Sequence, residues 1–155
     1  MPIQNFDIDE DQYSLDILLT LMFELEQMDL NNPALIQFAK TIFIPGCVDC
    51  TLSKLNAWCM KHFRFKDDED FENLTRPSKM LYLKEGDCDD FALFELTVLH
   101  ILNVNAKLIF LSKDGMEFTH VAVYSNGQIL DAQRGVSTLQ YYFRTTDYNF
   151  YQIVQ

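Results

Sequence analysis

The chain has 155 residues, 48% of them hydrophobic and 14% aromatic, with few glycines and prolines, which suits one well-buried core and excludes both a disordered tail and two ordinary domains. Its formal net charge is −11 and its arginines (Arg64, Arg76, Arg134, Arg144) are scattered, so nucleic-acid binding through grouped phosphate contacts is excluded as the main activity. No apolar run is long enough to span a bilayer, and Asp7, Asp9, Glu10 and Asp11 stand where a secretory leader would be basic, so a cytoplasmic protein with no membrane partner is expected.

Apolar residues at Leu15, Leu18, Met22 and Leu25, widened by Ile17 and Leu21, predict a helix from about Gln12 to Met28 with one face on the core. Asn32-Pro33 reads as an N-cap followed by proline in the first turn, opening a second helix to about Phe43. A third is expected from about Thr51 to Phe63, with Leu52, Leu55, Cys59 and His62 along one stripe and Trp58 beside it. The polar stretch from Arg64 to Lys84, which holds Pro77, reads as an extended surface loop. A fourth helix opens at Cys88. Asp87 is its N-cap and Asp90 the carboxylate that reaches back in a capping box. Phe91, Leu96, Leu99 and Leu102 imply burial along much of its length, and His100, without a partner motif, is read as structural.

After Asn105 the pattern becomes that of strands: Lys107 to Ser112, Glu117 to Tyr124, Gln128 to Asp131, Leu139 to Arg144 and Phe150 to Val154. Asp114-Gly115 and Asn126-Gly127 are the turn signals between the first three. Helices followed by an antiparallel meander indicate an α+β fold. A two-residue turn at Asn126-Gly127 sets Ser125 opposite Gln128, His120 opposite Gln133 and Ala122 opposite Asp131. These residues then share one face, and His120 and Asp131 are diagonal neighbours roughly 7–8 Å apart at the backbone. Val121, Val123, Leu130 and Ala132 take the other face and suit the core.

A cysteine opening a helix, with a histidine and an aspartate on adjacent later strands, supplies the parts of an activated thiol nucleophile. A free thiol is mostly protonated at neutral pH and needs an electropositive setting and a base, and the base needs a carboxylate to fix its tautomer. The first turn of a helix favours a thiolate at Cys88, whereas Asp87, Asp89 and Asp90 repel one. A protonated His120 has to win that contest, so an ion pair is the expected resting state.

Cys47-Val48-Asp49-Cys50, with Cys59 and His62 following, has the ligand types for zinc. Against that, Cys59 and His62 fall on the apolar stripe of the third helix, and the gap between the pairs is short. A redox pair lacks a preceding βαβ unit, and four reduced thiols are the expectation for a cytoplasmic chain.

The residues Gly86-Asp87-Cys88-Asp89-Asp90-Phe91-Ala92, His120-Val121-Ala122-Val123-Tyr124 and Gly127-Gln128-Ile129-Leu130-Asp131 resemble the transglutaminase-like branch of the papain-like cysteine enzymes. The likeness extends upstream to Leu55-Asn56-Ala57-Trp58, His62-Phe63-Arg64-Phe65, Asp67 and Arg76-Pro77, and so spans roughly Leu52 to Gly135. The chain is similar in particular to short transglutaminase-like proteins of bacteriophages and prophages, which places it in a host cytoplasm or a virion. It departs from larger relatives in lacking an accessory domain and a calcium-loop pattern. The resemblance implies a Cys88-His120-Asp131 triad, supported by Asp87, Asp90 and Gln133. Cys88 attacks a carbonyl, His120 shuttles the proton and Asp131 orients it. It also implies a first oxyanion donor at the Cys88 N–H, a second sought between Asn73 and Tyr82, and no cofactor or metal.

The expected organisation is one domain over 1–155, with a helical extension (1–50), a catalytic core (51–135) and C-terminal strands (136–155). The expected activity is a thiol hydrolase acting on a peptide, isopeptide or side-chain amide of a protein or peptide substrate. Acyl transfer to an amine and a non-catalytic module of a phage particle are the alternatives, and the oligomeric state is left open.

Overall fold

The computed structural model describes residues 3–4, 9–66 and 74–154, with side chains from Leu15 onward; Asp7, Asp67 and Asn73 lie outside them. Helix α1 (Asp9–Asp29) turns Leu15, Leu19, Met22, Glu26 and Asp29 inward at spacings of three and four. The apolar stripe read from the sequence is therefore rotated, leaving Ile17 and Leu21 exposed. The inward stripe ends on two carboxylates because each meets a hydrogen-bonding partner on another element. Asp29 accepts Arg76 Nη2 at 2.5 Å and the Ser78 N–H at 2.9 Å, while Glu26 Oε1 lies 2.8 Å from His100 Nδ1. His100 Nε2 is 2.9 Å from the Ala106 carbonyl, so this histidine bridges two elements, in keeping with a structural role.

The Glu26 hydrogen bond, working against burial, holds the His100 pKa above its ordinary value of 6.5. A raised histidine stabilises the fold fully below its unfolded pKa and loses that contribution as pH rises through the folded one. Thermal unfolding followed from about pH 6 to about pH 9 should show stability declining, and His100→Gln should flatten that slope. A wild-type curve with no such decline would remove the charge from this bridge.

Helix α2 (Pro33–Ile42) begins as expected, with Asn32 Oδ1 accepting the Leu35 N–H at 3.1 Å and proline in the first turn. Helix α3 (Val48–His62) starts earlier than expected, because the sulfur of Cys47 serves as its cap. The stretch read as a loop instead holds strand β2 (Arg64–Phe65), helix α4 (Pro77–Leu83) and strand β3 (Glu85–Gly86). Pro77 starts α4 rather than breaking a helix. Helix α5 (Cys88–Ile101) is buried on every side from Asp90 to Leu99 and forms the centre of the molecule.

A six-stranded sheet lies across α5 in the order β1-β8-β4-β5-β6-β7. Its members are β1 (Ile3–Gln4), β4 (Lys107–Ser112), β5 (His120–Ser125), β6 (Gln128–Asp131), β7 (Gly135–Thr138) and β8 (Phe150–Val154), antiparallel except for β1 beside β8. Asn126 and Gly127 both take positive φ, 52° and 76°, as the tight hairpin turn requires. Ser125 pairs with Gln128 and Val123 with Leu130, the expected register.

Leu108, Phe110, Val121, Val123 and Leu130 join the main core with the helices. The opposite face carries Ile109, Leu111, Ala122 and Ile129, covered by Tyr142 and Tyr148. Tyr142 belongs to helix α6 (Leu139–Thr145), where the sequence suggested a strand, and Tyr148 to the segment after it. Aromatic residues favour strands in general, but Thr138 caps the helix by accepting the Tyr141 N–H at 3.2 Å. No helix among the described residues is long and apolar enough to cross a membrane.

Candidate active site

The start of α5 is fixed from two sides. Strand β2 pairs in parallel with β3, the Arg64 N–H donating to Lys84 O at 2.9 Å and the Lys66 N–H to Gly86 O at 2.8 Å. Asp87 then caps the helix, Oδ1 accepting from the N–H groups of Asp89 (3.1 Å) and Asp90 (3.3 Å). Asp90 reaches back, with Oδ2 accepting the Asp87 N–H at 3.1 Å and Oδ1 the Thr75 N–H at 2.8 Å. The capping box is thus complete, and it also ties down the chain before α4. Asp90 sits so close to Gly86 that a Cβ there would lie 2.5 Å from Oδ2.

Cys88, half-buried in the first turn, lines a small cleft with His120, Asp131, Ala92, Glu95 and Ala132. The sheet therefore brings together the three residues singled out from the sequence. His120 Nε2 lies 2.7 Å from Asp131 Oδ2, both side chains being buried. That bond leaves Nδ1 as the ring nitrogen available for proton exchange.

Asp131 collects more partners than the sequence suggested. Oδ2 also accepts the Tyr142 hydroxyl at 2.8 Å and Arg134 Nη1 at 3.2 Å, and Oδ1 accepts the Gln133 N–H at 2.9 Å. Tyr148 stacks on the His120 ring with centroids 5.5 Å apart and planes 13° from parallel. The Arg134 guanidinium lies 5.6 Å from the far partner of that stack, the Tyr148 ring centroid. Arg134, Tyr142 and Tyr148 were missed because they follow the motif and come from a turn, a helix read as a strand, and the segment after it. Gln133 does not face His120 across the hairpin. Strand β6 ends at Asp131, and a turn closed by the Arg134 N–H on Asp131 O leaves Gln133 exposed, acting through its backbone.

Of the segment searched for a second oxyanion donor, none of residues 74–82 lines the cleft, and Asn73 lies outside the described residues. Glu95 was missed as well. It is 1% exposed on the cleft side of α5, and its Oε2 has no hydrogen-bond partner. Burial, and then the charge of Asp131, push its carboxyl well above the usual range.

Burial alone would raise the Asp131 carboxyl, but the His120 hydrogen bond and charge, the Gln133 N–H and the Tyr142 hydroxyl together hold it at about 2. Cys88 is driven the other way. Burial pushes its thiol up and Asp89 adds to that, as do Asp87 and Asp131, while the Val121 N–H opposes them. Asp89, whose Oδ1 is 3.9 Å from Sγ, is itself raised to about 7 by burial and by Asp87 and Asp90. The ion pair expected from the sequence is not what these surroundings favour. Burial of the sulfur and the acidic side chains around it both disfavour the thiolate.

The zinc reading fails on geometry. Cys47 and Cys50 are joined in a disulfide, Cys59 is buried in the core, and the His62 ring packs tilted against Trp58 with centroids 4.7 Å apart. The expectation of four reduced thiols is corrected for Cys47 and Cys50, while Cys59 and Cys88 are free. No group of three or more His, Cys, Asp or Glu side chains is placed to hold a metal among the described residues.

None of the curated proteins matches the chain. The crystal structure of a candidate cysteine protease from Cytophaga hutchinsonii is similar, with a TM-score of 0.52 and 19% identity over 66% of this chain and 37% of that one. The chain thus spans little more than a third of that protein, and the likeness is one of fold. A model of the transglutaminase-like domain matches residues 26–154, most of the chain, which therefore belongs to the transglutaminase-like family.

Proposed function

We propose that the chain is a thiol hydrolase that works through an acyl-enzyme on a peptide, isopeptide or side-chain amide, with Cys88, His120 and Asp131 as its triad. The observation that carries this reading is the buried 2.7 Å bond between His120 and Asp131 in a cleft shared with a helix-opening cysteine. Because Cys88 rests as a thiol, His120 acts as a general base during attack rather than as one half of a standing ion pair. Nδ1 takes the thiol proton as Sγ forms its bond to the carbonyl carbon, and the Cys88 N–H donates to the developing oxyanion. Asp131 stabilises the imidazolium formed in that step and keeps the ring in place. The same proton then goes to the leaving amine. A water deprotonated by His120 hydrolyses the thioester and restores the thiol.

The test is mass-spectrometric analysis of a panel of peptides and isopeptides incubated with the protein in the presence of a primary amine. New termini or freed ammonia, absent with Cys88→Ala, are the expected outcome, with water preferred over the amine. Incorporation of the amine would move the reading to acyl transfer. No turnover of any member, with wild type and Cys88→Ala alike, would leave a non-catalytic module. Alkylation of Cys88 by iodoacetamide should climb with pH between about 7 and 9, as a neutral thiol does. A plateau reaching down into acid would restore the ion pair.

A further inference from the structure

We propose that Cys47 and Cys50 form a second reactive sulfur centre, a thiol–disulfide exchange site that accepts two electrons from a dithiol. The two sulfurs are bonded to one another across a Cys-x-x-Cys spacing at the start of the 15-residue helix α3. Their surroundings differ in a way that gives each a role. Cys47 is the N-cap, half-buried, and its Sγ accepts the Cys50 N–H at 3.1 Å. Cys50 is exposed. A thiolate left on Cys47 is therefore received by a backbone N–H and by the positive end of a helix, which makes it the better leaving group. Cys50 is the sulfur that an incoming thiolate can reach.

Exposed Cys50 gives the attacking thiolate its access, and the side of the leaving sulfur, Cys47, is open as well. Cys47 and Val48 line a cavity of about 670 Å³ with Phe43, Leu102 and Asn126, and no residue of that lining belongs to the Cys88 cleft. Asp49, the one acidic residue within the motif, is turned aside, its Oδ1 accepting Asn126 Nδ2 at 2.7 Å. A purely structural staple explains little here, since closing so short a loop removes the least entropy from the unfolded chain. The missing βαβ unit is no obstacle either, because the helix N-terminus meets the chemical need.

The exchange balances in two steps. One thiolate of the dithiol attacks Cys50 Sγ, the bond between Cys50 and Cys47 breaks, and its electron pair leaves on Cys47. The donor's second thiolate then attacks the donor sulfur of the mixed disulfide and expels Cys50 as a thiolate. The donor ends as a disulfide, and its two protons pass to solvent or to the two protein thiols.

The experiment is to equilibrate the native protein with reduced and oxidised dithiothreitol, quench by alkylation and map each cysteine by peptide mass spectrometry. Circular dichroism run in parallel reports the fold. Reversible reduction with the fold intact is expected, followed by alkylation of Cys47 at about pH 6 roughly tenfold faster than Cys50. Cys47→Ser should hold a single mixed disulfide with glutathione on Cys50. Should that variant fail to fold, the wild-type alkylation ratio decides alone. Reduction only under denaturing conditions, or equal alkylation rates at the two sulfurs, would overturn the proposal.

Discussion

Replacing Asp131 with alanine is expected to lower kcat/KM on any amide substrate by about a thousandfold to ten-thousandfold. One oxygen of Asp131 holds the His120 ring, the Tyr142 hydroxyl and the Arg134 guanidinium at once. Without it the imidazole loses both its orientation and the charge that compensates its protonation. The same change strips the buried His120 ring and Tyr142 hydroxyl of their acceptor, and the exposed Arg134 with them, so a stability loss of about 3–5 kcal/mol should accompany it. Asp131→Asn separates the two effects. It keeps the volume and one acceptor oxygen but must turn its NH2 toward either the Gln133 N–H or the three donors on the other side. Its stability loss should be smaller, about 1–3 kcal/mol, as expected for one mismatched hydrogen bond.

The wild type carries a linked acid signature. A carboxyl lowered from 3.8 to about 2 stabilises the fold above pH 3.8 and loses that contribution as pH falls through about 2. The loss is worth about 2 kcal/mol in chemical denaturation. Asp131→Ala protein with unchanged turnover would refute the role given to this carboxylate.

Gly86→Ala carries the second large effect, and it acts without touching a reacting group. A Cβ at Gly86 would stand 2.5 Å from Asp90 Oδ2 and 2.8 Å from Asp90 Cβ. These atoms have little room to give, because Asp90 is buried and its two oxygens hold the N–H groups of Asp87 and Thr75. Moving Asp90 unseats the capping box and leaves backbone donors unsatisfied, for a cost of about 2–4 kcal/mol. The shift falls two residues before Cys88, so turnover should drop by about a hundredfold even in the fraction that stays folded. Paired measurements of the denaturation midpoint and of kcat/KM per folded molecule check this. A variant as stable and as active as wild type would show that the close approach is easily relieved.

The parts of the site that could be read from the sequence are those specified locally. Asn126-Gly127 dictates its own turn, and the turn dictates register, so His120 and Asp131 could be paired on paper. Asp87 and Asp90 likewise announce the helix that carries Cys88. What escaped depends on partners far along the chain. Glu26, Asp29 and Glu95 look like surface carboxylates in any local window, and the first two are buried because His100 and Arg76 arrive from other elements. Helix α4 is short and sits in polar sequence, so no periodicity betrays it. Tyr142 reads as a strand residue by propensity, and only its docking on Ala122 and Ile129 shows that α6 covers the sheet. The resting charge of Cys88 escaped for the same reason, since burial decides it and burial is a property of the whole fold.

The order in which the clamp around Asp131 appears along the chain has a consequence for synthesis. Cys88, His120 and Asp131 all leave the ribosome before Tyr142 and Tyr148, and β8, the neighbour of β4 in the sheet, follows later still. If Cys88, His120 and Asp131 work as proposed, a growing chain holds its nucleophile before the clamp that orients the base is complete. Competence would then arrive only with the closing of the sheet.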